Sequence, residues 1–511
     1  MVTTRLIVSI LTLAQGFLLT SANPLPRDEA AVNTTTCAGK SFAYHGLAGY
    51  GALPSDLRDK FGDTLSTGSA ISITGWKAVN KGKSYKATIW ALPDRGWNTE
   101  GTTAYQPRVH KFSLTFTPTS EYPSGQNLVY TYEDTILFTD AAGTPFAGLD
   151  PTTTLSLPGF PALPAASFPG DGFGGEGPGG IRASLDPEGL ALDTASKEGG
   201  FWISDEYGPY LYHFALNGTM DVAIAPPNAL LPLRKGVVNF SSDNPPIFDR
   251  EQQPDPIDPT SGRANNQGFE GLTYSRKDNA LYTLLQSASV NNGGLEKTTN
   301  RYTTLLKYAL NRTGKNPTLA GEWTVPLPQY NDPSKKTNPR VAASSAIHAL
   351  GNDRFLILSR DGNAGRGQDS TQSLYRHVDI FSLASATNFV GQYDDFNSSF
   401  APEGVLRSEI VAAEYCPFVD MNLSGELAKF GLINGGTDND AEGLLNEKWE
   451  GLATVPVYGE ENAHFLFASS DNDFITQNGY YNFGRDQYKD ASGFSLLSQT
   501  LVFKISVKGR D

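Results

Sequence analysis

Acidic residues recur in this chain beside a Gly-Leu pair and at the ends of short apolar runs, a pattern that can gather carboxylates in one place. The fullest instance is DPEGLALDTASKEGGFWISDEYGPYLYHFALNG, Asp186 to Gly218, where Asp186 and Glu188 precede one apolar run and Asp205 and Glu206 close the next. Phe269 to Leu272 reads FEGL and Trp449 to Leu452 reads WEGL, the latter leading to a run that ends on Asp471 and Asp473. Arginine joins acid twice more, in ALPDRG (Ala91 to Gly96, with Arg95) and LSRDG (Leu358 to Gly362, with Arg360 and Asp361). Carboxylates crowded together raise each other's pKa unless a cation sits among them. Calcium suits a donor set of Asp, Glu, Asn and backbone oxygens. Guanidiniums fixed beside such a cation would hold a phosphate or a carboxylate.

The elements that must position these residues are short strands. Leu190 to Leu192, Phe201 to Ser204 and Tyr210 to Leu216 read as three consecutive strands, and if the first two are antiparallel, the four acids share one edge. The same order of turn and strands returns at Gly268 to Leu310 and at Trp449 to Asp473, with shorter versions at Ala87 to Gly96 and Arg354 to Gly362. An N-terminal strand around Phe42 to Tyr50 can pair with the final strand, Thr500 to Val507. These units predict an all-β fold, a single β-propeller of six blades with five or seven as alternatives, and long loop insertions at 117–185 and 226–268 placed to roof the acidic rim. A radial array accounts for roughly 490 residues in one domain, because each blade packs mainly on its neighbours.

Residues 1–22 carry one arginine, an apolar run and a small-residue end, the marks of a secretory signal peptide and not of a membrane span. A 23–39 extension and a 40–508 propeller domain would follow. Sequons at Asn33, Asn217, Asn239, Asn311, Asn397 and Asn422 agree with a glycosylated, secreted, extracellular chain. The formal charge of −14, with no basic run, argues against nucleic acid or an anionic membrane as partner. Export permits one bond between the two cysteines, Cys37 and Cys416; otherwise they are two separate buried thiols. Gly170, Gly172 and Gly175 spell G-x-G-x-x-G without a preceding strand or following helix, so they read as loop. No G-x-S-x-G or H-E-x-x-H occurs. The six histidines show no ligand spacing; His348 alone stays open because it precedes the strand ending at Arg360.

Taken together, DPEGLAL, FWISDEYGP, FEGL, the ALPDRG and LSRDG strand ends, WEGL and the later SDND resemble the esterase-like phytase family of phytase-like domain proteins over roughly residues 40–508. That resemblance implies a propeller that hydrolyses phosphate or carboxyl esters. More distantly, the PEGLALD, FWISDE and LYHFALNG unit resembles blades of calcium-dependent lactonases, which implies metal ligation by Glu188, Glu270 and Glu450, with Asp205 and Asp471 beside them. On this reading Glu188 or Asp205 activates water, aided by Glu206 and Asp361, while Arg95 and Arg360 steady the anion. The expected partner is a small anionic or ester substrate, and the expected state a monomer. Two readings compete with the hydrolase: a non-catalytic binding or scaffold propeller whose mouth takes a cation or glycan, and a sugar lactonase.

Overall fold

Short apolar runs separated by turns become antiparallel strands in the computed structural model, which describes residues 30–119, 122, 124–311, 317–362 and 364–508. The expected leader, residues 1–22, lies outside them. The single α-helix among the described residues is Ser424–Leu427.

Five sheets of four or more strands carry the fold. The first holds Ala70–Val79, Ser84–Leu92, Arg108–Phe116 and Leu128–Leu137, and the second holds Pro187–Leu192, Phe201–Asp205, Leu211–Phe214 and Met220–Ile224. The third is Phe269–Ser275, Ala280–Leu285, Tyr302–Ala309 and Thr318–Pro326, and the fourth is Ala343–Gly351, Arg354–Arg360, Arg376–Ser382 and Glu414–Asp420. The fifth runs Trp449–Pro456, Ala463–Ser470, Ser498–Lys508, Lys40–Leu53 and Asn33–Cys37. The first strand in each list is innermost, and each inner strand packs on the next, the fifth returning to the first.

Six blades were expected, with five or seven as alternatives, and the described residues hold five such sheets. The N-terminal strand does pair with the final strand, Phe42 opposite Val507 and Tyr50 opposite Leu501. That pair forms no separate blade. It completes the sheet begun by Trp449–Pro456, because the final strand also pairs with Ala463–Ser470. Counting it apart from the WEGL unit counts one sheet twice.

Five apolar clusters show why the ring holds. Ile89 and Phe116 of the first sheet meet Phe465 and Phe467 of the fifth, and Val109 and Phe138 meet Phe201 and Phe214 of the second. Trp202 and Leu211 then pack on Leu281 and Leu306, Tyr282 and Leu305 on Phe355 and Phe381, and Leu356 and Val378 on Trp449 and Leu466. Each sheet is thus covered on both faces, which explains why central strands such as Ala280–Leu285 are buried at every residue while the outer strand Leu128–Leu137 alternates. The latter is one strand of the first sheet, within the stretch 117–185 that was expected to be a loop insertion.

Cys37 and Cys416 form a disulfide spanning 379 residues, tying the outermost strand of the fifth sheet to the outermost strand of the fourth. Replacing both with serine is expected to lower unfolding free energy by about 2–5 kcal/mol, measured by chemical denaturation. An unchanged midpoint would show that the apolar seam alone holds this edge. Among the sequons, Asn422 is committed internally: its amide nitrogen donates to the Ser373 carbonyl and hydroxyl, and its oxygen accepts from Arg376.

Candidate active site

Three inner strands begin with a β-bulge at the same point. The ladder skips from Pro187 to Gly189, from Phe269 to Gly271 and from Trp449 to Gly451, so Glu188, Glu270 and Glu450 are the extra, unpaired residues. A bulge re-aims the side chain it carries. The following glycine is required by crowding: a Cβ on Gly189 would stand 2.5 Å from Leu272 Cβ, one on Gly271 would lie 3.0 Å from Ile347, and one on Gly451 would overlap the Ser469 hydroxyl. The Glu-Gly-Leu triplet is therefore one device, an acid thrown out of register and a glycine that lets the adjacent backbone close. The fourth sheet makes the same bulge at Ser345, a counterpart the sequence does not announce.

The three glutamates converge on a cavity on the ring axis, with room for about one water-sized particle, whose walls also include Ser69, Ala346 and the inner-strand leucines. Around it stand the ends of the second strands. Asp94 and Arg95 come from the first sheet, Asp205 and Glu206 from the second, Gln286 from the third, Arg360 and Asp361 from the fourth, and Asp471 from the fifth. Antiparallel pairing sets Pro187 opposite Asp205, so strand starts and strand ends do share one edge.

Within this edge the carboxylates divide into two kinds. Asp205 accepts from the backbone N–H groups of Asp186, Tyr207 and Gly208 at 2.9 to 3.0 Å. Asp361 accepts from Ser373 Oγ and the Leu374 N–H, and Asp471 from Ser66, Ser69 and the Asp473 N–H. These three close turns. The glutamates point inward with bonding capacity left over: Glu206 Oε1, Glu270 Oε2 and Glu450 Oε2 are buried without a hydrogen-bond partner. Carboxylate oxygens of Asp94, Asp186 and Glu188 also lie within 4.8 Å of one another.

The cations are already engaged. Arg95 pairs with Asp186 at 3.0 Å and donates to Asn266 at 2.8 Å. Arg360 pairs with Glu450 at 2.7 Å and approaches Glu447 at 3.6 Å. Lys448 pairs with Asp473 at 2.6 Å and lies 3.9 Å from Asp94. Burial opposes the charge of the Arg95 guanidinium, but Asp186 foremost, then Tyr207, Glu206 and Asp94, holds its pKa above the ordinary value. Three cations do not balance so many acids. Burial, compounded by Glu270, Asp186, Glu206 and Glu450, drives the Glu188 carboxyl well above the usual range. Burial and the neighbouring Glu206 and Glu450 do the same to Glu270, and burial with Asp471 does so to Asp94. Glu206 is pushed up to about 8 by burial and Asp186.

This donor set fits a hard divalent cation. Its oxygens are buried, mutually repelling and partly orphaned, and a bound ion would relieve all three conditions at once. Glu188, next to both Asp94 and Asp186 and on the axis with Glu270 and Glu450, is common to each grouping. His348 sits elsewhere, in a recess of about 480 Å³ at the other end of the inner strands, bonded to Thr454 Oγ1 at 2.8 Å. Burial and then His464 lower its pKa to about 4.

The family model described as phytase-like, esterase-like activity of phytase, matches residues 78–474. An uncharacterized secreted protein of Arthroderma benhamiae is 46% identical over 495 residues, covering 91% of this chain and 95% of that protein. Among solved structures, an N-acetylgalactosamine deacetylase from F. plautii is 9% identical over 91% of this chain and 95% of that one, with a TM-score of 0.31. A virginiamycin B lyase from Staphylococcus aureus is 11% identical over 89% and 99%, with a TM-score of 0.26. Superpositions that loose carry no functional weight.

Proposed function

The chain belongs to the phytase-like family, and from that premise we propose that it is a secreted hydrolase of phosphate or carboxyl esters, working at the axial carboxylates of a five-bladed propeller. The observation that carries this reading is the convergence of Glu188, Glu270 and Glu450, each placed by its own bulge, on one cavity. Secretion is supported by the likeness to a secreted Arthroderma protein, and no described helix is long and apolar enough to cross a membrane.

Asp94, Asp186, Glu188, Glu270 and Glu450 would hold calcium, which when bound supplies Lewis-acid polarisation of the ester oxygen. The chain's own contribution is proton transfer and charge placement. Glu188, which lines the axial cavity and adjoins Asp94 and Asp186, accepts the proton of the attacking water. Arg360, anchored by Glu450, faces the negative charge that develops on the substrate. Asp205 and Asp361 fix the turns beside Glu206 and Arg360, and Asp471 the turn whose Asp473 pairs with Lys448, all three acting as positioning residues.

A turnover screen of the full chain on p-nitrophenyl phosphate, phytate, p-nitrophenyl acetate and aldonolactones, with and without chelator, tests the proposal. The expected result is hydrolysis of a phosphate or carboxyl ester that chelation abolishes. Absence of turnover on every compound in excess calcium would leave an acidic cation-binding mouth without chemistry.

A further inference from the structure

The sequence singles out Arg95 and Arg360 as the residues for an anion, yet Arg95 is enclosed by Asp186, Asn266 and Tyr207. A more accessible set of cations lies next to the acids, in a recess of about 440 Å³ whose walls include Lys297, Arg340 and Arg360, with Tyr330, Ser345 and Gln286. Its outer wall is an insertion between the third and fourth sheets, the small hairpin pairing Gln329 with Val341 and Tyr330 with Arg340. Its inner wall is the acidic site itself: Gln286 donates to Glu270 and Arg360 to Glu450. Ser345, the bulge residue of the fourth sheet, stands between the two.

Two acids, Asp361 and Asp332, also line the recess, but their hydrogen bonds go to other partners. Asp361 is taken up by Ser373 and the Leu374 N–H, and Asp332 accepts from the N–H and hydroxyl of its neighbour Ser334. Arg340 Nε is buried without a partner, as is Arg360 Nε. Lys297 lines the same recess as these two guanidiniums. Such a set is stabilised by an incoming anion.

We propose that this recess is the substrate's entry and its anion subsite: Lys297 and Arg340 grip an oxyanion group, phosphate or carboxylate, of a ligand whose remainder reaches Glu270 and Glu450. This deepens the hydrolase reading and rests on it for the identity of the ligand as a substrate, but the anion site itself is separately measurable. The ligand class is a small molecule with at least one oxyanion besides the ester linkage that is cleaved. The hairpin carrying Tyr330 and Arg340 then sets specificity.

The test uses inorganic phosphate as probe, titrated calorimetrically into the full chain in excess calcium, beside Lys297→Ala, Arg340→Ala and the double variant. Lys297 is exposed and Arg340 half-buried on a surface hairpin, so folding is expected to be intact, with circular dichroism as the check. Each single change is expected to weaken phosphate roughly ten- to a hundredfold. KM for an ester with an additional anionic group is expected to rise by a similar factor, and by more than KM for p-nitrophenyl acetate. Phosphate binding equal in parent and double variant, or absent from the parent, overturns the subsite. Weakened phosphate binding in a protein that hydrolyses no ester keeps the subsite and removes the hydrolase reading instead.

Discussion

Glu188→Gln is expected to lower kcat/KM by roughly two to four orders of magnitude while leaving the fold intact. The glutamine keeps the volume and the bulge but removes the base and a carboxylate that would bind the metal. Because burial, with Glu270, Asp186, Glu206 and Glu450, already holds the metal-free Glu188 carboxyl towards its neutral form, a neutral amide of the same volume changes little there, so the metal-free variant should melt no lower than the parent. Asp205→Asn makes the contrast. Its carboxylate accepts three backbone N–H groups, and an amide nitrogen set against one of them is expected to cost about 1–3 kcal/mol of stability. Rates and melting curves of the two variants separate the roles. If Glu188→Gln kept the parental rate on a substrate the parent turns over, the chemistry would lie away from the axis.

The second large effect couples pH to calcium. Without metal, Glu206 titrates at about 8, through burial and Asp186, and Asp471 at about 7, through burial and Asp473. Away from the site, burial and Asp394 bring Glu322 up to about 8. All three are raised above their unfolded values near 4, so the folded chain keeps protons that the unfolded chain releases. Stability of the metal-free protein is therefore expected to fall as pH rises from about 4 to about 8, each group contributing on the order of 1.4 kcal/mol per pKa unit at most. Calcium needs ionised ligands, so its binding opposes this loss. Thermal melts at pH 5 and pH 8, in EDTA and in millimolar calcium, should show the metal-free melting point dropping with pH and the calcium increment growing. A calcium increment equal at both pH values, or none at either, would detach the carboxylates from the ion.

Much of this was legible from the residues, and the limits have physical causes. The Glu-Gly-Leu triplets and the acids at strand ends were readable because one bulge is built the same way three times and needs glycine each time. The pairing of Phe42 to Tyr50 with the final strand was legible, but nothing near Thr500 says that the same strand also pairs with Ala463–Ser470 and so joins the sheet begun at Trp449, which is why six blades was preferred to the alternative of five. Asp205 and Glu206 look alike in sequence, yet one closes a turn and the other faces the axis, and side-chain alternation along a strand ceases to predict direction once the strand ends. Arg340 and Lys297 could not have been found at all. They lie in connections without periodicity, and only the folded hairpin brings them beside Arg360.

The fifth sheet, assembled from strands at 40–53, 449–470 and 498–508, imposes a schedule on biosynthesis. At about 5–20 residues per second, the strand at 40–53 waits roughly half a minute to a minute and a half for its inner neighbour to be made. Throughout that time one edge of it is an open hydrogen-bonding template, the condition that invites pairing with another chain. Cys416 is synthesised before the final strand, so its bond to Cys37 can form while the last sheet is still incomplete, holding the waiting strand against the fourth sheet. An oxidising compartment would then act during assembly as well as after it, and reductant present during synthesis would harm yield more than the same reductant added to finished protein.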